Sequence, residues 1–309
     1  MNSIIVNNVS KSYKKVIAIE DISFEAGKGE VFGFIGPDGA GKTTLFRILA
    51  TLLFPDKGDA TLNGLDVIRD YKKLRKILGY MPGKFSLYQD LTVEENLQFF
   101  ATIFGTTIQE NYHLIKNIYI YLEPFKNRLA GKLSGGMKQK LALSCAMIHK
   151  PEILILDEPT TGVDAVSRKE FWEMLKNLKS QGITIIVSTP YMDEATICDK
   201  VALIQSGKIM DIDTPENIVN KSRKVFFAIK SDNIYKLLND LRSNFGKNYV
   251  YPFGQYVHLS DSSGSISEEI ITDFLTGKDH NNIEVKRVRP NIEDCFLDLM
   301  RTDKPIQNF

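Results

Sequence analysis

Short apolar runs broken by turns recur along the chain. Val31-Phe32-Gly33-Phe34-Ile35, Ile153-Leu154-Ile155-Leu156 and the stretch from Gly182 to Ser188 are continuous rather than alternating in character. Continuous runs of that length fit strands covered on both faces of a parallel sheet, and helical stretches between them predict an α/β core. From Asp90 to Lys150 the pattern turns almost wholly helical, with Thr92-Val93-Glu94-Glu95 reading as a capping box ahead of Leu97, Phe99 and Phe100. The spacing predicts an inserted helical subdomain over about 90–150.

The pattern changes again near residue 222. Asp213-Thr214-Pro215-Glu216 predicts a short helix with Thr214 as cap and Pro215 in first position, and polar Asn220-Lys221-Ser222-Arg223-Lys224 follows. This divides the chain into 1–222 and 223–309. The second part reads as a strand from Val225 to Ile229, then a helix with Ile234, Leu237, Leu238, Leu241 and Phe245 on one face. Strands around Tyr249 to Val250 and Tyr256 to Leu259, a helix from Ser267 to Leu275, a strand from Ile283 to Val288 and a helix from Ile292 to Met300 complete it. The order βαββαβ is ferredoxin-like in kind.

Composition narrows the classes. The 309 residues, 43% apolar, suffice for a large domain and a small one. Thirty-nine basic against 38 acidic residues leave a net charge of +1, so no global basic field draws the chain to nucleic acid. Cys145, Cys198 and Cys295 lie far apart without metal-ligand spacing, which suits core thiols in a reducing compartment. Met1 to Ser10 has no basic residue, and no run reaches the roughly 18 to 20 apolar residues of a spanning helix.

The chemistry begins at Gly36-Pro37-Asp38-Gly39-Ala40-Gly41-Lys42-Thr43-Thr44, which fits G-x-x-x-x-G-K-S/T after an apolar strand and before the helix Leu45 to Leu49. Such a loop curls backbone N–H groups around phosphates, with Lys42 reaching the β- and γ-phosphates and the Thr43 hydroxyl able to ligate Mg²⁺. Asp157 and Glu158, at the end of the Ile153 strand, become the Mg²⁺ partner and the candidate general base. Adjacent acids at a strand end can also be plain solvated turn residues; the P-loop decides against it. In Leu133-Ser134-Gly135-Gly136-Met137, Ser134 can cap a helix running through Gln139 and Leu143, and the two glycines would let a triphosphate approach bare N–H groups.

With the P-loop, Asp157-Glu158 and LSGGM in this order, residues 1–222 resemble the nucleotide-binding subunits of ABC transporters. The resemblance implies an ABC cassette of the P-loop NTPase fold: a parallel sheet core, an antiparallel β part, the helical subdomain, and beyond it a small C-terminal α+β domain. It implies that ATP and Mg²⁺ are bound, that Tyr13 stacks on adenine, and that Asp164, in Thr160-Thr161-Gly162-Val163-Asp164, crosses a dimer seam. Ser134, Gly135, Gly136 and Met137 would then face the ATP of a second cassette, identical or different. An exposed strand tyrosine and a helix N-cap are the bland alternatives for Tyr13 and Asp164.

Two positions depart from that family. Its loop glutamine, which touches Mg²⁺ and relays nucleotide state to the membrane subunit, is replaced by Gly83 in Gly79-Tyr80-Met81-Pro82-Gly83-Lys84, where Pro-Gly makes a good type II turn. Its γ-phosphate histidine is replaced by Pro190 in Ser188-Thr189-Pro190-Tyr191-Met192-Asp193-Glu194; Thr189 as cap and Pro190 in first position predict a helix start. His113, His149, His258 and His280 lie outside this motif and read as surface or packed residues. The losses predict firm MgATP binding with slow hydrolysis.

The segment Phe85 to Leu97, the aromatic helix after it, and Pro290-Asn291-Ile292-Glu293-Asp294-Cys295-Phe296-Leu297 resemble the type-two ABC exporters, which move drugs, lipids or polysaccharides. The implied protein is an ATPase subunit, peripheral on the cytoplasmic face of the cell membrane, serving a separate integral membrane permease. A hydrolysis-impaired sensing cassette paired with a more active one is the alternative. A translation or DNA-repair ABC protein fits less well, since this chain has one cassette and no long heptad run. The C-terminal part reads equally as a stabilising cap or as a regulatory element.

Overall fold

The computed structural model describes residues 2–302, in two compact units whose boundary falls between Pro215 and Glu216. The sequence change at residue 222 lies at the far end of the short helix Pro215–Lys221; the break lies at its start.

In the first unit a long hairpin, β1 (Asn2–Tyr13) and β2 (Val16–Gly27), precedes β3 (Val31–Ile35) and helix α1 (Lys42–Leu49). Then come β4 (Lys57–Leu62), β5 (Leu65–Asp66), α2 (Tyr71–Ile77) and β6 (Leu78–Met81). The helical insertion consists of α3 (Val93–Ile103), α4 (Ile108–Tyr119) and α5 (Gly135–Met147). The chain returns through β7 (Ile153–Asp157), α6 (Ala165–Ser180), β8 (Thr184–Thr189), β9 (Lys200–Gln205) and β10 (Lys208–Asp213).

One sheet has the order β10-β9-β3-β8-β7-β6, parallel throughout except where β10 meets β9. Its central strands β3, β7 and β8 are buried at every position, which is why their sequences are apolar without alternation. The other sheet, β2-β1-β4-β5, is antiparallel. Phe24 of β2, Phe32 and Phe34 of β3 and Phe46 of α1 stand with ring centroids 4.9 to 5.7 Å apart and belong to one core that joins both sheets to α1.

Helices α3 and α4 both begin on complete capping boxes, Thr92 with Glu95 and Thr107 with Glu110. Each box satisfies amides that a helix start otherwise leaves unbonded. Asn96, fully buried, fixes the segment before α3 by bonding the backbone of Tyr88 at both its N–H and its carbonyl.

The boundary falls after the first residue of α7 (Pro215–Lys221), and the second unit continues through β11 (Val225–Lys230), α8 (Ile234–Phe245), β12 (Val250–Phe253), β13 (Tyr256–Asp261), α9 (Glu268–Thr276), β14 (Glu284–Val288) and α10 (Ile292–Thr302). Its sheet has the order β12-β13-β11-β14 with every neighbouring pair antiparallel, the split βαββαβ arrangement. Leu237 and Leu241 of α8 and Ile271 and Leu275 of α9 bury against Phe227, Ile229, Val257 and Leu259. Among the described residues no helix is long and apolar enough to cross a membrane.

Candidate functional site

The P-loop runs from the end of β3 to the start of α1. Gly41 caps α1 at φ +102°, a region closed to most side chains. Gly36 passes so close to β9 that a Cβ there would stand 2.1 Å from the Ile204 carbonyl oxygen. Strand and loop thus leave a cavity of about 230 Å³ lined by Val16, Ile17 and Ala18 on one side and by Gly39 to Thr44 and Glu158 on the other.

Lys42 is the charged centre of this cavity. Although only 3% exposed, its Nζ donates to the carbonyls of Gly36 (2.7 Å) and Pro37 (3.0 Å) and pairs with Glu158 Oε1 at 3.0 Å. A buried ammonium persists only when paired in this way. The same ammonium is therefore held at the cavity floor, where an incoming polyanion would compete with Glu158 for it.

Asp157 and Glu158 are set by β8. Parallel pairing puts Asp157 opposite Ser188, whose hydroxyl donates to Asp157 Oδ1 at 2.7 Å. Glu158 N donates to both the Ser188 hydroxyl (2.9 Å) and its carbonyl (3.1 Å). Glu158 adopts φ +50°, rare for a residue with a side chain, so the chain turns sharply out of β7 toward Lys42. Asp157 is 2% exposed, and among the described residues no Lys, Arg or His pairs with it. Its negative charge does push the Tyr80 hydroxyl upward, second to burial, to about 12.

A buried carboxylate without a protein cation suits a hard metal ion, and Thr43, in the first turn of α1, supplies a hydroxyl beside the cavity. Among the described residues no cluster of three His, Cys, Asp or Glu could hold a metal by itself. Mg²⁺ fits that donor set, since it commonly takes one or two protein ligands with phosphate oxygens and water.

Tyr13 ends β1, half exposed, and pairs with Val16, which lines the cavity. Val16 and Ile17 are 68% and 55% exposed, an apolar lip on the same hairpin. Pro37 and Asp38 are exposed on the loop and Ala40 is buried beneath it.

The LSGGM residues stand elsewhere: none of them lines the P-loop cavity. Ser134 caps α5, accepting from Met137 N at 3.3 Å, and Ser134 and Gly135 are exposed. Gly136 is buried against α6, where a Cβ would lie 2.5 Å from Ser167 Oγ. Its bareness lets α5 pack closely on α6. Asp164 caps α6 through Oδ1, accepting from Val166 N (3.1 Å) and Ser167 N (2.9 Å), and the Ser167 bonds hold its carboxyl below the usual range.

Position 83 faces the acidic pair. A Cβ on Gly83 would stand 3.1 Å from the Asp157 carbonyl oxygen and 3.8 Å from its Oδ2. Pro190 follows Thr189, whose carbonyl accepts from Gly36 N at 3.3 Å, so it adjoins the P-loop. The helix expected to start at Pro190 does not. Thr189 ends β8, and its hydroxyl captures the amide of Tyr191, two residues on instead of three, at 3.0 Å; a 3₁₀ helix spans only Met192–Ile197.

Sequence reasoning missed Ser188, Arg168, Thr160 and Glu194. Glu194 is 1% exposed, yet it accepts from Arg168 Nε (3.1 Å) and Thr160 Oγ1 (3.1 Å); Arg168 also bonds Asp193 and lies over the Tyr191 ring. The network ties the start of α6 to the segment after Pro190. Only the register of β7 against β8 could have pointed to Ser188. None of the four histidines lines the cavity: His113 is exposed, His149 stacks on Phe104 at 3.7 Å, and His258 and His280 bond Asp294 and Asp240. Cys145, Cys198 and Cys295 are buried, and burial raises the Cys145 and Cys198 thiols.

Geometry of this kind belongs to the P-loop ATPases, and the helical insertion presenting an LSGGM turn narrows the class to the ATP-binding cassettes. The sequence profile described as ABC transporter matches residues 19–161. The probable multidrug ABC transporter ATP-binding protein YbhF of Escherichia coli (strain K12) is 38% identical over 306 residues, which is 96% of this chain. The chain spans about half of that relative, 52% of its length. The linearmycin resistance ATP-binding protein LnrL of Bacillus subtilis (strain 168) is 30% identical over 94% of this chain and 96% of its own. Among solved structures, an ATP-binding subunit of an ABC transporter aligns with TM-score 0.64 at 28% identity, covering 71% of this chain and 92% of its own. A dimeric ATP-binding cassette in a post-hydrolysis state, bound to ADP and Pi, aligns with TM-score 0.62 at 25% identity over 68% and 98%. The chain belongs to the ABC transporter family, as one of its ATP-binding domains.

Proposed function

We propose that this chain is the ATPase subunit of an exporter, peripheral on the cytoplasmic face of the membrane, and that it drives a separate integral membrane permease. ATP would lie with its base toward Tyr13 and its phosphates in the loop Gly36 to Thr44. The triphosphate takes over Lys42 and so frees Glu158, which then accepts a proton from water as the water oxygen bonds the γ-phosphorus and the β–γ bridging bond breaks. Thr43 and Asp157 would hold Mg²⁺, which neutralises phosphate charge. The loop amides and Lys42 stabilise charge on the transferred group in a site partly closed to water.

The observation that supports a paired arrangement is the separation of Ser134 to Met137 from the P-loop cavity within one chain. In this reading the exposed Ser134 and Gly135 meet the γ-phosphate of a second cassette, and Asp164 sits at the seam. An apolar groove of about 550 Å³ is walled by Met81, Leu87, Phe100, Phe104 and Ala142 among others, and in this reading it would face the permease. Relatives named for multidrug, linearmycin and Nod factor handling support an export role without choosing a cargo.

The test is phosphate release and nucleotide-driven dimerisation, measured on the chain with the cassette that copurifies from solubilised membranes. Glu158→Gln should abolish release while trapping an ATP-bound dimer by light scattering. Cassettes that stay monomeric in that variant at saturating MgATP would refute the paired reading.

A second reading rests on Gly83 and Pro190. With glycine rather than glutamine facing Asp157 and proline rather than histidine beside the P-loop, this half binds ATP and hydrolyses it slowly, serving chiefly as the signature donor for a more competent neighbour. Removing one preorganised donor costs about 3 kcal/mol of transition-state stabilisation, a hundredfold or more in rate.

A further inference from the structure

Two acidic groups with different tasks follow one another at the end of β7, and one hydroxyl touches both. Ser188 is fully buried on β8. Its Oγ donates to Asp157 Oδ1 at 2.7 Å and accepts from Glu158 N at 2.9 Å. A serine hydroxyl has one proton and two lone pairs, so both bonds are made by their proper partners.

Each bond fixes something that the backbone alone leaves loose. Asp157 is buried with no cation against it among the described residues, and its carboxylate rotates about a broad terminal torsion unless something pins one oxygen. The Ser188 proton pins Oδ1, which leaves Oδ2 on the side that Gly83 faces. Glu158 is held at φ +50°, a conformation that persists only where surroundings over-determine it. The forked bond from its amide to the Ser188 hydroxyl and carbonyl is that constraint, and it aims the side chain at Lys42. In a site with glycine at 83 and proline at 190, Ser188 is the β8 side chain that still orders the acidic pair.

We propose that Ser188 is a positioning residue for the ATP site, its hydroxyl fixing Asp157 for Mg²⁺ and Glu158 for water in one stroke. This rests on the reading of Asp157 and Glu158 given above. Residues that orient metal ligands through a hydrogen bond commonly matter by ten- to hundredfold in metal affinity or activity.

The experiment measures affinity for a fluorescent ATP analogue with Mg²⁺ and with EDTA, together with phosphate release and melting temperature, on the intact complex. Ser188→Ala should reduce the Mg²⁺-dependent gain in affinity by about tenfold and lower kcat at least as much, with the EDTA affinity unchanged. Ser188→Thr, which keeps the hydroxyl, should restore both. Should Ser188→Ala not fold, Ser188→Cys, a poor donor of similar shape, is read the same way. A lower melting temperature with the Mg²⁺ gain and kcat intact would make Ser188 a packing residue and overturn the proposal. Asp157→Asn is the control on the underlying reading: if it leaves the Mg²⁺ gain intact, the assignment of Asp157 fails, and the Ser188 proposal fails with it.

Discussion

Adding one methyl group at Gly136 tests whether the LSGGM turn is shaped from within the chain. A Cβ there would lie 2.5 Å from Ser167 Oγ and 2.7 Å from Ser167 Cβ, against an ordinary contact of 3.4 Å or more. Rotating Ser167 moves its hydroxyl but not its Cβ, so the backbones of α5 and α6 must separate by several tenths of an ångström. Asp164 resists that movement because its carboxylate holds Ser167 N at 2.9 Å. Overpacking of this kind costs about 1–3 kcal/mol, of which the better helix propensity of alanine returns at most about 1. Both contacts lie under 3.0 Å, which places this change in the upper part of that range, and for a unit of this size about 1–2 kcal/mol net corresponds to roughly 2–8 °C in melting temperature. Calorimetry on Gly136→Ala should show that loss in the first unit's transition, and adding Ser167→Gly should recover more than the two single changes sum to. A Gly136→Ala protein as stable as the parent, or purely additive changes, would refute the packing argument.

The double variant Gly83→Gln Pro190→His should release phosphate about a hundredfold faster than the parent at similar ATP affinity; the tight 3.1 Å approach at position 83 predicts that Gly83→Gln alone gains less. Unchanged turnover in the double variant would show that these positions do not limit hydrolysis. His149 donates from Nε2 to the Leu78 carbonyl and stacks on Phe104, and burial lowers its pKa from the usual 6.5. The unfolded chain therefore takes up that proton first: this contribution to stability is whole above pH 6.5 and is lost as pH falls toward the depressed folded value. Urea melts from pH 7.5 to 5 should slope downward in the parent and less so in His149→Phe; equal slopes would acquit His149. Asp294, 1% exposed, accepts from Tyr251 (2.7 Å) and bonds His258 (2.8 Å), so Asp294→Ala should cost the second unit about 3 kcal/mol by removing the buried carboxylate that both side chains bond. A change within 0.5 kcal/mol, well inside ordinary surface effects, would dismiss that anchor.

Much of the molecule was legible because local chemistry and burial agree. Continuous apolar runs became β3, β7 and β8, the capping box at Thr92 became the start of α3, and the P-loop pattern became the turn into α1. The split order of the second unit followed from alternating strand and helix signals, and in the structure Asn233 and Ser267 cap its helices α8 and α9. The start after Thr189 was misread because a hydroxyl can bond an amide two or three residues on, and local sequence does not choose between them.

Sequence by itself determined which residues could bind phosphate, cap helices or fill a core, since those depend on residue type and near neighbours. Tertiary structure alone decided that Ser188 bridges Asp157 and Glu158, that Gly136 is bare because Ser167 lies against it, and that Arg168 neutralises the buried Glu194. Those pairings join β7 to β8, α5 to α6, and α6 to the segment after β8. Their geometry is set by sheet register and helix packing, which no single stretch of chain contains.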